Sequence, residues 1–331
     1  MPSISVIIAA YNAQDTIVET VESVLNQTFT DLEILVIDDG SKDSTGDRLC
    51  SLDDPRLKLI SYENGGVALA RNRGIANARG EYISFLDHDD LWTPDKLEDQ
   101  LAALQKNPDA GVAYSWTIGM FSDENPVRYK KLDKVFFEGD IYDKILISNF
   151  VGSGSNILVR KEAVESVGGF DATPVSNEDW DFYIRLAAKW HFVLVPKYQI
   201  LYRQLNSSMS SNILRLEEGG LVLVKKAYRD APKELQHLKK RFLYNQYIYY
   251  TNLYIENYLN SNETISRFSL KDAYRSLFKA IFSLPLALIQ ITTVKTVFKL
   301  LFVSIAGSTS IKQLKKIKYN NRSSYSNKVQ P

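Results

Sequence analysis

Several common architectures are excluded by what this chain lacks. Among 331 residues there is one cysteine, Cys50, so no internal disulfide framework can form, and a reducing compartment fits. Residues 1–10, MPSISVIIAA, have no basic leader, and their apolar run is too short for a signal peptide or a membrane span. The longest uncharged stretch in the C-terminal part, Ala280–Val294, is fifteen residues and contains Pro285, whereas a span needs about 20 apolar residues. No low-complexity segment or internal repeat is visible, and the 45% apolar content suffices for a buried core. The glycine pair Gly65-Gly66 lacks the lysine and the spacing of a phosphate-binding P-loop.

Charge is unevenly placed. Residues 264–331 hold twelve Lys or Arg against one acid, Asp272, and carry +11; the rest must carry about −10, because the whole sums to +1. A basic tail on an acidic body calls for an anionic partner, the plain alternative being a solvated chain end. No recognisable nucleic-acid module accompanies the tail, and no nucleic acid is expected.

What is present over the first 116 residues is an alternation of strand and helix patterns. Apolar runs predict strands at Ser5–Ala10, Glu33–Ile37, Leu57–Ser61, Tyr82–Leu86 and Gly111–Ser115. Helical periodicity predicts helices near Thr16–Asn26, Ser44–Leu52, Val67–Ala78 and Pro94–Asn107, the last capped by Thr93. Residues 117–150 are less regular, with a turn at 123–126. A strand follows at Asn156–Arg160, then a helix from Lys161 closed by Gly168-Gly169, a helix from about Trp180 to Lys189 and a strand at Phe192–Pro196. Continuous apolar strands imply a sheet covered on both faces, hence an α/β fold with a mostly parallel central sheet. From Asn212 onward the pattern is helical, which divides the chain into 1–211, itself in two parts, 1–116 and 117–211, and a helical extension, 212–331.

Ligands of such sheets sit beyond the carboxyl ends of the strands. There the sequence places Ala9-Ala10-Tyr11-Asn12, Asp38-Asp39-Gly40-Ser41 and Asp87-His88-Asp89-Asp90: one aromatic ring and five carboxylates on one rim. Crowded carboxylates raise each other's pKa unless a cation joins them, and Mg²⁺ or Mn²⁺ commonly bridges protein carboxylates to phosphates. Tyr11 suits stacking on a base, or covering the sheet end; Asp39 suits a pyrimidine N–H, and Asp38 a brace for the turn after it. Ser41 has no histidine near it in sequence and is no nucleophile, and His88 reads as a spacer. Arg71, one turn into a helix, is either a surface charge or a cation for a diphosphate. Glu178-Asp179, beside an exposed-looking Trp180, are helix-capping acids with depressed pKa values, or the general base of a transfer.

The ordered set SVIIAAYNAQDTIVETVESVLNQTF, EILVIDDGSKDST, NGGVALARNRGI, GEYISFLDHDDLW, SNILVRKEAVESVGGFD and NEDWDFYIRL resembles the family 2 glycosyltransferases over roughly residues 3–210. The resemblance implies a GT-A fold and inverting transfer from a nucleotide-sugar, a UDP-sugar above GDP or dTDP, with Mg²⁺ or Mn²⁺. It implies that Tyr11 and the Ala9 backbone hold the base with Asp39 on its edge, and that Arg71 matches the arginine of the family's A-R-N stretch. Asp87 would approach the ribose or metal, Asp89 would ligate the metal, and Asp179 would be the base, with Glu178 and Trp180 on the acceptor side. One departure stands at Tyr202-Arg203-Gln204-Leu205, where the family often has a histidine in place of Leu205 that helps bind metal or diphosphate.

The implied acceptor is a glycan or lipid-linked glycan, and the implied role is polysaccharide, glycan or glycolipid synthesis in the cytoplasm. Residues 270–318 suit a helix lying in an anionic membrane surface: Lys271, Arg275 and Lys279 share one face, Leu270, Tyr274, Leu277 and Ile281 another, and lysines recur at 295, 299, 312, 315, 316 and 318. Packing on the rest of the chain, or a dimer contact, would use the same pattern. The competing functions are a non-catalytic nucleotide-sugar-binding module and a sugar-phosphate nucleotidylyltransferase. The latter needs a basic, glycine-rich loop after the first strand, which AAYNAQDT does not supply.

Overall fold

The structure, a computed structural model, describes residues 1–121, 126–173, 176–204, 212–260 and 270–306. Leu205, the 123–125 part of the expected turn and the lysines at 312–318 lie outside the described residues. The chain folds as two units: Met1–Asn212 with Lys225–Arg229, and Ile213–Val224 with the described residues from Asp230 onward.

In the first unit, strands β1 (Ile4–Ala10), β2 (Leu32–Asp38), β3 (Leu57–Ser61) and β4 (Tyr82–Asp87) alternate with helices α1 (Ile17–Leu25), α2 (Thr45–Cys50) and α3 (Val67–Asn77). A two-residue strand, β5 (Leu91–Trp92), precedes α4 (Lys96–Lys106). Then come β6 (Ala110–Phe121), β7 (Arg128–Lys131), α5 (Tyr142–Ile145), β8 (Leu158–Arg160), α6 (Lys161–Val167), α7 (Glu178–Ala187) and β9 (His191–Arg203). The sheet order is β3-β2-β1-β4-β8-β6-β9-β5, with β7 on β6. The pairs β3–β2, β2–β1, β1–β4 and β6–β9 are parallel; β8 is antiparallel to both β4 and β6, so β6 runs the same way as β4. The sheet is thus mixed and mostly parallel. Every residue of β1 and β2 is buried, the result of helices on both faces.

Two strands run well past their apolar cores. β6 and β9 pair as far as Met120–Arg203, with register shifts around Trp116, because the extensions bury Trp116, Met120 and Ile200 although their sequences do not read as strands. α4 starts at Lys96 with Asp95 as its cap residue; the Thr93 hydroxyl donates to the Asp95 carboxylate and does not cap the helix. Gly168, at φ 73°, ends α6 in the left-handed region that suits glycine.

The second unit contains α8 (Ile213–Asp230, shared with the first), α9 (Lys239–Asn260), α10 (Leu270–Ser283) and α11 (291–306), with 3-10 turns at Lys233–Leu238 and Pro285–Ile289. Its core is tyrosine-rich: Tyr244, Tyr247, Tyr250 and Tyr254 from α9 pack with Leu277 and Ala280 of α10 and with Leu300 and Val303. Leu270, Tyr274, Leu277 and Ile281, the apolar face expected to meet a membrane, instead turn into this core. They do so because α9 offers a partner surface that periodicity alone cannot reveal.

At the sheet end opposite the carboxylate rim, Glu33 sits buried in β2. Its carboxylate accepts hydrogen bonds from the Arg79 guanidinium and backbone N–H, the Ser5 hydroxyl and Lys58. Burial alone would raise its pKa, but these donors prevail and hold it at about 2. A depressed acid stabilises the fold above its unfolded value near 4.5 and loses that contribution as pH falls toward 2. Glu33→Gln is therefore expected to cost on the order of 2 kcal/mol at pH 7, discounted for the half-exposed cations, and progressively less between pH 4.5 and 2 in urea-denaturation series.

Candidate active site

The rim is built where β1, β2 and β4 end. The Asp38 carboxylate accepts the Ser41 N–H (3.0 Å), and the Ser41 hydroxyl accepts the Asn12 N–H (2.9 Å), so Asp38 braces the turn after β2 against the one after β1. Tyr11 stands above these turns with nearly half its surface exposed, open to a stacking partner. Asp39 is buried, and its carboxylate is already engaged: the N–H groups of Gly65 (2.9 Å) and Gly66 (2.7 Å) and the Arg73 guanidinium (2.8 Å) donate to it. Gly66 adopts φ 86° to present its N–H at the start of α3, which explains the glycine pair without a phosphate loop.

Arg71 faces neither solvent nor an open anion site. It is 2% exposed, and its guanidinium bonds the carboxylates of Asp87 (2.5 Å) and Glu178 (3.0 Å) while lying 5.1 Å over the Phe170 ring. This side chain therefore joins the end of β4 to the start of α7, reaching Asp87, 16 positions along the chain, and Glu178, 107 positions along it. Burial opposes its charge, but Asp87, Glu178 and Asp179 raise its pKa further above the ordinary arginine value. An ion cluster so placed is strongly destabilised by losing one member, because the others stay buried and unpaired.

Asp179 follows Glu178 in the first turn of α7. Burial first, then the charges of Glu178 and Asp87, push its carboxyl up to about 7, against the opposing pull of Arg71 and the Trp180 N–H. The expectation that a helix N-terminus would depress this acid is corrected: desolvation and like charge outweigh the dipole. Asn149 donates to its other oxygen at 3.3 Å. Trp180 is also corrected. It is 3% exposed, and its indole N–H donates to the Ile145 carbonyl (2.7 Å), so it packs α7 onto α5 and offers no surface to an acceptor.

The turn after β4 is held from several sides, chiefly through a residue that motif reading left without a role. Asp90 is fully buried; its carboxylate accepts the Ser155 hydroxyl (2.6 Å) and the Arg203 N–H (2.9 Å). The Ser155 oxygen accepts the Asp87 N–H (3.0 Å), and the Arg203 guanidinium donates to the Asp89 carbonyl (2.7 Å). The Thr20 hydroxyl of α1 reaches the carbonyls of His88 and Asp90, while His88 Nδ1 lies 3.4 Å from the Thr16 hydroxyl. Asp89 has its pKa raised by burial and by Asp87, with His88 and Arg203 opposing.

Among the described residues no three Asp, Glu, His or Cys side chains group closely enough to cage a metal. The donors at the rim are Asp89 and, beside it, Asp87, whose Oδ1 is bonded to Arg71. An acid with raised pKa beside a second carboxylate is relieved by a cation, and so small a donor set fits a hard divalent ion that completes its shell with phosphate oxygens and water.

Motif reading also passed over Gly154, although the run Gly152-Ser153-Gly154-Ser155 advertised a tight loop. A Cβ at Gly154 would collide with the Arg71 guanidinium and stand 3.2 Å from the Asp87 carboxylate. Gly154→Ala is expected to push Arg71 off its two acids and destabilise the first unit by about 1–3 kcal/mol, read as a lower urea midpoint at unchanged m-value. An unaltered midpoint would show that the Arg71 cluster yields freely.

Both the sequence and the fold have known relatives. Residues 5–253 match the family model described as "Glycosyltransferase like family 2". The chain is 34% identical over 219 residues to the putative teichuronic acid biosynthesis glycosyltransferase TuaG of Bacillus subtilis, covering 64% of this chain and 82% of that protein. It is 43% identical over 105 residues to the UDP-Glc:alpha-D-GlcNAc-diphosphoundecaprenol beta-1,3-glucosyltransferase WfgD of Escherichia coli, covering 31% and 42%. Uncharacterized glycosyltransferases of Rickettsia felis and Rickettsia conorii match at 39% and 32% identity, and the chain spans only 23% and 32% of their lengths. The fold is shared with the mannosyltransferase PcManGT from Pyrobaculum calidifontis, solved with GDP-Man and Mn2+: TM-score 0.58 and 19% identity, over 92% of this chain and 86% of that one. The resemblance read from the motif series and the GT-A-like fold expected from it are both supported, and the chain belongs to the glycosyltransferase family 2-like proteins.

Proposed function

We propose that this chain is an inverting glycosyltransferase that moves a sugar from a nucleotide-sugar, a UDP-sugar, to a hydroxyl of a lipid-linked glycan during polysaccharide synthesis at the cytoplasmic face of a membrane. The observation that carries the reading is the carboxyl of Asp179, lifted to about 7 beside Glu178, which Arg71 ties to Asp87 at the end of β4. A base poised near neutrality, next to a rim suited to a nucleotide diphosphate, is the combination a transfer needs. The relatives add support for donor and acceptor: WfgD is named for a UDP-glucose donor and a diphosphoundecaprenol-linked acceptor, and TuaG for teichuronic acid biosynthesis.

In this reading the nucleobase stacks on Tyr11 beside the Ala9 backbone, with its edge toward Asp39, whose remaining lone pairs can accept an N–H although its amide partners already fix its position. Asp87 faces the ribose, and Asp89 would hold a divalent ion, Mg²⁺ or Mn²⁺. When bound, that ion would neutralise charge on the departing diphosphate. Asp179 takes the proton of the acceptor hydroxyl as its oxygen bonds to the anomeric carbon; the bond from that carbon to the diphosphate oxygen breaks, and the nucleoside diphosphate leaves from the opposite face. Arg71 acts as a positioning residue: its two ion pairs keep Asp87 and Glu178 at fixed places, and so set the field that tunes Asp179.

Thermal-shift screening of UDP-, GDP- and dTDP-sugars with and without Mn²⁺ tests the donor and metal together. A UDP-sugar is expected to raise the melting temperature more with Mn²⁺ than without, and Asp89→Asn to abolish that difference; a shift indifferent to Mn²⁺ would remove the metal role. For the base, Asp179→Asn is expected to lower kcat by about 10²–10⁴ with nucleotide affinity little changed. In the unmodified enzyme log kcat/KM should fall with unit slope below about pH 7, where Asp179 takes up its proton. Glu178→Gln removes a like charge and should move that limb to lower pH; a limb that stays in place would assign the titration to another group.

A further inference from the structure

α10, the Pro285–Ile289 turn and α11 each carry large apolar side chains on the side that does not enter the tyrosine core. Phe278, Phe282, Leu286, Ile289, Phe298 and Ile305 are between 68% and 88% exposed. Phe278 and Phe282 lie one helical turn apart on α10, and on α11 the spacing of Ile291, Val294, Phe298, Leu301 and Ile305 forms a single stripe. A hydrogen bond between Tyr274 and Ser304 (2.9 Å) sets α10 alongside α11 at positions one turn before Phe278 and next to Ile305, where the two stripes approach each other. Buried positions alternate with them: Ala273, Leu277 and Ala280 on α10, Leu300 and Val303 on α11. The segment is therefore amphipathic twice over, with one apolar side satisfied by the core and a second left open. Exposed apolar surface on this scale marks a binding face.

Charge identifies what covers it. Residues 270–306 hold five cations (Lys271, Arg275, Lys279, Lys295 and Lys299) against one acid, Asp272. Arg275 and Lys279 reach Glu217, and Lys299 reaches Glu256, which fixes these cations along the flanks of the unit; Lys271 and Lys295 are exposed. Among the described residues Lys271 and Lys295 form no ion pair, and Asp272 is already paired with Arg275 (3.2 Å), so a second copy seated on this face would bring these two lysines no free carboxylate from the same segment. An anionic lipid surface accepts both features at once, headgroups for the cations and acyl chains for the phenylalanines and isoleucines. No described helix is long and apolar enough to cross a bilayer, which fits a face that lies in its surface.

We infer that the side of the second unit formed by Phe278, Phe282, Leu286, Ile289, Phe298 and Ile305 inserts in-plane into an anionic lipid bilayer. The lipid-facing set thus differs from the Leu270, Tyr274, Leu277 and Ile281 face that periodicity alone selects. The inference does not depend on the catalytic reading, since the donor thermal shift is measured without lipid.

The test is co-sedimentation of the full chain with vesicles of phosphatidylcholine alone or with roughly 30% phosphatidylglycerol. The wild type is expected to pellet with the anionic vesicles and not with the neutral ones. The double variant Phe282→Ser/Ile289→Ser should lose partition by about tenfold or more while keeping its melting temperature and its donor shift. Phe136→Ser, at a residue 69% exposed on the first unit, is the matched control and should bind as the wild type does. A wild type that stays in the supernatant, a double variant that pellets undiminished, or a dimer in size-exclusion chromatography that the double variant dissociates without any vesicle binding would each overturn the assignment.

Discussion

A buried guanidinium organises the first unit. Arg71 is paired with Asp87 at the tip of β4 and with Glu178 at the start of α7, and is covered by Phe170. Without a cation there, these two acids and Asp179 would be like charges in a region shielded from water, and the two halves of the unit would repel where they must meet. The nearness of Gly154 follows from the same demand, since any side chain at that position would occupy the space of the guanidinium. Fold and site therefore share one electrostatic constraint.

Around this centre the structure separates acids that brace from acids that remain reactive. Asp38, Asp90 and Asp39 spend their carboxylates on neighbouring N–H and O–H groups and fix the turns after β1, β2 and β4. Burial and like charge raise the pKa of Asp89, Asp90 and Asp179 alike, so the bracing role of Asp90 shows in its hydrogen bonds and not in its titration. A carboxyl near neutrality, as that of Asp179 at about 7, changes protonation at little free-energy cost. The same residue type, five times on one rim, acquires different chemistry from its hydrogen-bond partners.

The helical unit follows a different rule. Its core rests on stacked tyrosine positions of α9, whose hydroxyls find partners such as Glu217 for Tyr254 and Leu216 for Tyr250. Because that core consumes one apolar face of α10, a second apolar face remains on the outside. Sequence periodicity detects that such a helix is amphipathic, but it cannot count how many of its faces find protein partners.

The alternating strands β1 to β4, their helices and the strand-end acids were legible in the sequence, because apolar periodicity and strand-end motifs are local properties of the chain. The long pairing of β6 with β9 was not, since those extensions are stabilised by each other's burial and by no pattern of their own. Nor was the fate of the site residues. Trp180 looked exposed, Arg71 could be read as a surface charge or as a cation for a diphosphate, and Asp179 as a helix cap or as a general base, because each judgement depends on neighbours far away in the chain. Sequence by itself determined the family and the chemical inventory of the rim. Only the tertiary structure decided which acid is paired, which is desolvated and which face of α10 is left bare, because charge and hydration depend on distances through space.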